Sequence, residues 1–562
     1  MRNRTHILIR TACLLCALWW LSAPAKATVK LVSGTTGAHI EINGQPMLLL
    51  GGELSNSAAT SVADIQEVFP RMQALGLNTL LVPLQWDLTE PCEGRFDFTL
   101  LDTTVKAARE CSMKVVFLWF GAWKNSMSCY APAWFKADVK RFPRAVTAEG
   151  KPLEIASAFS EQVFRADSAA FTAVMRHIKD IDATQNTVVM MQIENEIGML
   201  ESARDHSTSA EKAYKKTVPS ALLHSMGLKK KGSWADVFGQ SDSGDEIFMA
   251  WHYAKYVERL AKTARAIHDI PLYVNAAMNS RGRKPGEYPS AGPLAHLMPV
   301  WKTAAPSVDL MAPDIYDTGF KNWAKQYATP NNPLFIPESR CCSNSGARAL
   351  YVFGAYDAVG FSPFAIDNAA ADAKPEIQKS YAALREAAPL LLSNKQGKAQ
   401  KSWGVLFDQT DKDTLIADGE TMLQCAHYFT LPWDPRATNG STWREGGAII
   451  KKLAEKDYLI IGSGVVITFL TNSEWEQKKP ASQLGEDGFA TAGSQQRAAE
   501  KQTKRFKGKR LGLASVEEVS VNDDGTTSRV RSFCGDETHQ GRHVRISVDD
   551  YKVLRVKLYE YQ

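Results

Sequence analysis

The sequence predicts an α/β protein with a (β/α)₈ TIM barrel followed by an all-β, sandwich-like domain at its carboxyl-terminal end. Residues 47–366 contain eight short apolar runs of strand length that alternate with segments of helical periodicity, the pattern of βα units around a parallel sheet. Beyond about residue 390, short β-rich stretches replace this alternation. An open doubly wound sheet is the competing architecture, but it would usually need fewer strands.

The amino terminus predicts export. Three arginines precede an apolar run over residues 11–21, and Ala25-Lys26-Ala27 fits the small-x-small rule for signal cleavage. We therefore expect a signal peptide over residues 1–27, a barrel over 28–388 and the β-domain over 389–562, in the periplasm or fully secreted. No later stretch reaches the roughly 18 apolar residues of a membrane span, so no membrane association is expected after cleavage.

Composition excludes several classes of protein. Hydrophobic content of 44% and charged content of 23% are those of a globular chain. A net charge of +5 over 562 residues is too weak to predict a nucleic-acid partner. Neither a P-loop nor a GxGxxG that opens a helix is present, so no cofactor is expected, and no metal motif stands out. Oligomeric state and disulfide pattern stay open.

The predicted elements follow one another in barrel order. The predicted barrel strands are 47–54, 78–86, 114–121, 187–196, 271–278, 308–316, 333–338 and 360–366. Predicted helices between them cover 62–72, 102–111, 168–181, 246–268 and 347–359, with a long polar insertion after the fourth strand. In the β-domain, strands are predicted at 403–408, 458–461, 465–470, 544–548 and 553–559; apolar residues alternate in the last two.

The fourth run ends in Gln192-Ile-Glu194-Asn195-Glu196. Strict alternation would point Gln192, Glu194 and Glu196 into the barrel, where an ionised carboxylate is costly unless it is paired or protonated. We expect Glu194 to be an ion-pair partner low in the barrel and Glu196 to lie at the mouth. Asn195 would point outward in a regular strand, and it would turn into the site if the strand end is bulged.

The seventh run ends in a second inward carboxylate, Glu338, which shares a strand face with Leu334 and Ile336. Active groups of TIM barrels lie at the carboxyl ends of the strands, so Glu196 and Glu338 are expected to face one another across a cleft. Glycosidic cleavage needs such a pair, one carboxyl group protonated and the other ionised. A separation of about 5–5.5 Å predicts retention of configuration, and ~6.5–9.5 Å predicts inversion.

Gln192-Ile-Glu-Asn-Glu196, followed by Ile197-Gly198, resembles the QxENE-(aromatic)-G motif of glycoside hydrolase family 35, the β-galactosidases. The resemblance spans residues 48–366 and implies a retaining (β/α)₈ glycosidase. It implies that Glu196 is the acid/base, Glu338 the nucleophile and Asn195 the ligand of the sugar 2-hydroxyl. Tyr316, at the end of the sixth run, resembles the tyrosine that related enzymes place against the nucleophile.

Further candidates for sugar binding lie at predicted strand ends. Trp123 and Trp86 could stack on a sugar face or pack in the core, and Glu53 and Asn275 could bind hydroxyl groups. Asn125 is a weaker candidate, in a segment where the glutamate of family 35 has no clear counterpart.

The sequence therefore predicts an exported, retaining exo-β-galactosidase that acts on oligosaccharides or polysaccharides, with xyloglucan side chains among the possible substrates. Two alternatives stay open. One is another β-glycosidase or endo-glycanase of the same clan, and the other is a non-catalytic carbohydrate-binding barrel.

Overall fold

The computed structural model describes residues 28–33, 38–278, 282–393, 400–431, 443–478 and 507–562. The predicted signal peptide, residues 1–27, lies outside the described residues. Within the described part of the chain, no helix is both long and apolar enough to cross a membrane.

Eight parallel strands close into a barrel in which each strand pairs with its neighbours in the sequence and the eighth pairs with the first. In chain order the barrel strands are Leu49–Glu53, Thr79–Gln85, Lys114–Lys124, Val188–Asn195, Leu272–Ala277, Leu310–Ile315, Phe335–Ser339 and Gly360–Pro363. All eight predicted strands are present, and the TIM-barrel prediction is confirmed. The open-sheet alternative is excluded because the sheet closes.

The barrel strands read as continuous apolar runs because helices cover the outer face of the sheet. All seven residues of Thr79–Gln85 are buried. The helices of this part of the chain are Val62–Ala74, Trp86–Thr89, Thr99–Glu110, Ala133–Ala137, Glu161–Asp182, Thr208–Tyr214, Ser220–Ser225, Trp234–Phe238, Asp242–Ile267, Met298–Ala304, Phe320–Tyr327, Ser345–Tyr356 and Ala373–Ser393.

The first of these helices shows how the sequence sets its limits. The Ser61 side chain caps its amino terminus by accepting a hydrogen bond from the backbone N–H of Asp64. Its buried residues recur at helical spacing and face the barrel: Ile65, Val68, Phe69 and Met72. The polar insertion after the fourth strand forms three short helices, so it lies on the side of the barrel where the strands end.

Two small antiparallel sheets near the barrel were not predicted. Strands Val29–Ser33, Ala38–Ile42 and Gln45–Met47 form one, and Arg144–Val146 and Pro152–Ala156 form the other. The Nδ2 of Asn186, just before the fourth barrel strand, donates to the Oδ1 of Asn43 over 2.9 Å. The three-stranded sheet therefore lies at the end of the barrel where the strands begin, away from the predicted site.

The carboxyl-terminal part consists of one six-stranded and one four-stranded antiparallel sheet, and the predicted all-β architecture is confirmed. The six-stranded sheet contains Ser402–Phe407, Gly446–Ala454, Asp457–Ser463, Arg510–Val521, Thr527–Phe533 and Lys552–Tyr561. The four-stranded sheet contains Asp413–Asp418, Thr421–His427, Val465–Thr471 and Val544–Ile546. Inward residues of both sheets share one apolar core, which includes Leu423, Ile467, Leu554 and Val556.

The six-stranded sheet packs against barrel helices Ser345–Tyr356 and Ala373–Ser393. The approach is close at Gly404, where an added Cβ would lie 2.3 Å from the carbonyl oxygen of Tyr351. Arg348 of the first helix binds the carboxylate of Glu445 through Nε and Nη2, over 2.8 and 2.7 Å. The contact between the two parts is therefore tightly packed and joined by a two-point ion pair.

Candidate active site

The end of the fourth barrel strand departs from regular strand geometry. Glu194 and Glu196 have φ angles of +58° and +44°, in the left-handed region that non-glycine residues rarely adopt. The pairing with the third strand also shifts, because Trp119 pairs with Ile193 and Lys124 pairs with Asn195. As a result, the strict alternation expected for this run fails and the side chain of Asn195 turns into the barrel.

Glu194 lies outside the barrel interior, between the sheet and the surrounding helices. Its Oε2 accepts a hydrogen bond of 2.8 Å from the backbone N–H of Trp123, and its carboxyl group faces that of Asp167 on helix Glu161–Asp182. Burial and the charge of Asp167 raise the pKa of Glu194 well above its ordinary value. Glu194 is therefore a protonated acid that donates to Asp167, and the predicted ion pair with a cation is wrong.

A tight turn after the third strand holds the end of the fourth. The backbone groups of Lys124 and Met127 exchange hydrogen bonds of 2.7 and 3.0 Å, and Asn125 and Ser126 between them both have positive φ, as in a type I′ turn. The N–H of Asn125 donates to the carbonyl of Asn195, and that of Ser126 donates to the carbonyl of Glu196. The turn thus fixes the unusual backbone that presents Glu196.

Glu196 and Glu338 lie side by side, together with Asp314. The three carboxyl groups offer oxygen atoms that all lie within 4.8 Å of one another. Asp314 and Glu338 are direct neighbours in the register of the sixth and seventh strands. Glu196 is 6% exposed and Glu338 is 4% exposed, so little water screens the pair.

Glu338 receives hydrogen bonds from three sides. The hydroxyl of Tyr316 donates to Oε2 over 2.5 Å, and the amides of Asn195 and Asn275 approach Oε1 at 3.5 Å. Burial and the charge of Glu338 raise the pKa of Tyr316, so its phenol stays protonated and acts as a donor. Tyr316 and Asn195 therefore lie where the sequence predicted them.

Asn275 ties the strands together. Its Oδ1 accepts a 2.9 Å hydrogen bond from the backbone N–H of Glu196, and its Nδ2 donates to Oδ2 of Asp314 over 2.8 Å. Because Asn275 also approaches Glu338, its amide positions both acidic groups. The sequence predicted Asn275 as a sugar ligand, whereas these contacts use the amide to hold protein groups in place.

The surroundings of Glu196 favour its protonated form. Burial and the neighbouring Glu338 raise the pKa of Glu196 to about 7, while Lys124 and a hydrogen bond with Asp314 oppose the shift. The Nδ2 of Asn125 donates to Oε2 of Glu196 over 2.6 Å. Asn125 is exposed, so this contact lies at the open side of the site.

Lys124 is a site residue that the sequence analysis missed. It ends the third barrel strand, is 4% exposed, and its Nζ donates to Oδ1 of Asn195 over 2.9 Å. Because the ammonium group binds the oxygen of this amide, the Nδ2 of Asn195 is turned toward Glu338. The signal was present in the sequence, as a lysine directly after an apolar strand.

Two further acids line the site. Glu53 ends the first strand, is fully buried and faces Glu338, so the structure brings this predicted residue into the site. Asp314 was missed, although a carboxylate near the end of the apolar sixth run pointed to it.

Trp86 and Trp123 do not reach the site, and their predicted stacking on a sugar is wrong. Both are fully buried. Trp86 packs against Phe135, with ring centres 5.0 Å apart, and its Nε1 donates to Glu90. Trp123 packs edge-on against Tyr256, with ring centres 4.8 Å apart, in the helix layer. Their strand positions face outward from the barrel, where an aromatic ring fills the core.

Phe364, which the sequence analysis did not single out, is the partly exposed ring next to Tyr316. It follows the eighth strand and packs edge-on against Tyr316, with ring centres 6.2 Å apart. An aromatic ring in this position offers an apolar face at the mouth of the barrel.

Comparison with known families corrects the family assignment. Residues 58–238 match the model of glycoside hydrolase family 42, described as β-galactosidase, so the predicted family 35 is wrong. The match includes the third and fourth barrel strands and identifies the barrel as that of a glycoside hydrolase, as predicted. Residues 377–482 and 480–545 match a domain of unknown function, DUF5597. A search of curated proteins gave no match.

Solved β-galactosidase structures with similarity to the chain come from three organisms. They are those of Halorubrum lacusprofundi (14% identity, TM-score 0.44), Marinomonas ef1 (13%, 0.43) and Bacillus circulans sp. alkalophilus (16%, 0.42). The alignments cover 60%, 62% and 61% of this chain. The chain spans 58%, 60% and 56% of the lengths of these structures.

Proposed function

We propose that this protein is a retaining exo-β-galactosidase that releases terminal β-galactose by double displacement. The observation that carries the proposal is the approach of Glu196 and Glu338, whose carboxyl oxygens lie within 4.8 Å. Retaining glycosidases place the two carboxyl groups about 5–5.5 Å apart, and inverting enzymes need about 6.5–9.5 Å to admit a water molecule. The short separation favours retention.

In the first step Glu338 attacks the anomeric carbon while Glu196 protonates the leaving oxygen. A pKa of about 7 keeps Glu196 largely protonated in neutral or acidic solution, as a general acid requires. Tyr316 holds Oε2 of Glu338 through the 2.5 Å hydrogen bond and thereby orients the attacking carboxylate. The bond to the aglycone breaks as the glycosyl ester with Glu338 forms.

In the second step Glu196 removes a proton from water, which attacks the ester. The charge of Glu338 raises the pKa of Glu196, and esterification removes that charge. The pKa of Glu196 therefore falls when the base form is needed. Release of galactose returns Glu338 to its carboxylate form.

Substrate contacts are proposed for groups at the open side of the pair. Asn195 presents its Nδ2 beside Glu338, where the 2-hydroxyl of a bound sugar would lie. Phe364 offers an apolar ring for the C–H face of galactose. Galactose is favoured because the family that matches is described as β-galactosidase. Galactosylated side chains of xyloglucan are one candidate substrate, and we propose that the protein meets them after export.

The test compares aryl β-galactoside with aryl β-glucoside, aryl β-mannoside and intact glucan, and follows the product by NMR. The proposal predicts preference for the galactoside and initial release of β-galactose. Initial release of α-galactose would contradict the mechanism. Cleavage of the glucan without cleavage of any aryl galactoside would contradict the specificity and favour an endo-glycanase.

A further inference from the structure

The site contains more acidic groups than its charge can support. Four buried carboxyl groups belong to Glu53, Glu196, Asp314 and Glu338, and none makes a salt bridge within the described part of the chain. The buried cation beside them is Lys124, whose Nζ is bound to Asn195. Ionised groups in such a dry, crowded site repel one another, so some of the four must carry protons.

Asp314 has one oxygen without a donor. It is 1% exposed, and its Oδ2 accepts the amide of Asn275 over 2.8 Å. Oδ1 receives no hydrogen bond from any described residue, and the carboxyl group faces Glu196. A buried carboxylate with an unsatisfied oxygen is costly, whereas a protonated carboxyl group can donate to its neighbour.

Glu53 is in a more extreme position. It is fully buried, and neither of its oxygens accepts a hydrogen bond from a donor group among the described residues. The group with which it forms a hydrogen bond is the carboxyl of Glu338. Burial raises the pKa of Glu53 well above its ordinary value, and the charge of Glu338 adds to the shift. The same two causes raise the pKa of Asp314.

We propose that Asp314 and Glu53 are positioning residues that act as neutral carboxylic acids, Asp314 donating a hydrogen bond to Glu196 and Glu53 donating one to Glu338. Each member of the catalytic pair then has its own permanent donor. The proposal rests on the function proposed above for Glu196 and Glu338.

This distribution of protons leaves the enzyme ready for the first step. With Glu53, Asp314 and Glu196 neutral, the negative charge of Glu338 is balanced by Lys124. In the second step the donor on Asp314 stabilises Glu196 in its ionised form. The neutral acids thus support both states of the cycle without taking part in proton transfer.

The test uses amide and apolar variants of the same size class. Asp314→Asn and Glu53→Gln keep a neutral donor, so we expect kcat/KM within about tenfold of the wild-type value. Asp314→Leu and Glu53→Leu remove the donor, so we expect losses of at least about a hundredfold. Melting temperatures of all four variants check that they fold.

The pH profile separates positioning from packing for Asp314. If Asp314 is neutral, Asp314→Asn leaves the alkaline limb of kcat/KM in place, because no charge is removed beside Glu196. Glu196 also faces Glu338, Lys124 and Asn125, which this variant keeps. A shift of the limb to lower pH in Asp314→Asn would show an ionised Asp314 and would overturn the proposal.

A readout independent of activity separates this proposal from the proposed function. Infrared difference spectra against the wild type should lose one protonated carboxyl band in Asp314→Asn and one in Glu53→Gln. Loss of a carboxylate band instead would contradict the proposal even if the protein hydrolyses galactosides. Activity that a chelator abolishes and a divalent ion restores would also overturn it, because a cation would then balance the acids.

Discussion

At the residue scale, Lys124 combines two effects on the proposed catalytic pair. Its Nζ fixes the amide of Asn195, and its charge lowers the pKa of Glu196. We predict that Lys124→Met lowers kcat/KM by about a hundredfold and moves the alkaline limb of the pH profile to higher pH, since Glu196 then holds its proton more tightly. Lys106→Met, at an exposed lysine, is the control. An unmoved limb in Lys124→Met would show that the lysine is structural only.

Glu196 also makes the stability of the fold depend on pH. Its folded-state pKa of about 7 lies above the ordinary value of 4.5, so the folded protein retains a proton that the unfolded chain releases. The stabilisation is complete below pH 4.5 and is lost as the pH rises to about 7. We predict that Glu196→Gln is inactive but, above pH 7, more stable than the wild type, by up to about 3 kcal/mol.

Chemical denaturation at pH 4.5 and pH 8 measures this difference. The advantage of Glu196→Gln should be present at pH 8 and nearly absent at pH 4.5. An equal advantage at both pH values would mean that the glutamine packs better and that the titration of Glu196 is not responsible.

At the element scale, the turn after the third strand has both a structural and a chemical task. Asn125 has φ of +52° and binds Glu196 through its side chain. Glycine accepts the left-handed backbone but lacks the amide. We predict that Asn125→Gly keeps the stability and loses about tenfold in kcat/KM, whereas Asn125→Ala also loses about 1 kcal/mol of stability. Equal activity of Asn125→Gly and wild type would remove this contact from the account.

Trp123 and Phe364 should separate packing from substrate binding. Trp123 fills the layer between the third strand and helix Asp242–Ile267, so Trp123→Ala should cost about 3–5 kcal/mol of stability. Phe364 is partly exposed beside Tyr316, so Phe364→Ala should raise KM for an aryl galactoside with little change in melting temperature. A raised KM in a folded Trp123→Phe variant, with Phe364→Ala unaffected, would reverse the two assignments.

The elements of the barrel could be predicted because strand burial writes itself into apolar runs such as Thr79–Gln85. The geometry of the site could not. Hydrophobic periodicity carries no information about positive φ, so the left-handed Glu194 and Glu196, and with them the inward turn of Asn195, were beyond it. Strand Arg510–Val521 was missed for another reason, because few of its residues are buried.

At the scale of the whole molecule, closure of the barrel brings together residues that are far apart in the sequence. Glu53, Glu196, Asp314 and Glu338 come from the first, fourth, sixth and seventh strands, and the parallel order of these strands brings their ends to the same edge. The β-domain packs against the helices that precede and follow the eighth strand. The site is therefore built by the barrel, while the β-domain supports its outer layer.

The most direct measurement of the central claim is to trap the intermediate. Incubation with a 2-fluoro-β-galactosyl substrate, which slows hydrolysis of a glycosyl ester, should add one 2-fluorogalactosyl group to the protein. Mass spectrometry of the digested protein should place the label on Glu338, and Glu338→Gln should remain unlabelled. A label on another carboxylate, or galactoside hydrolysis with inversion and no label, would contradict the assignment of Glu196 and Glu338 as a cooperating pair.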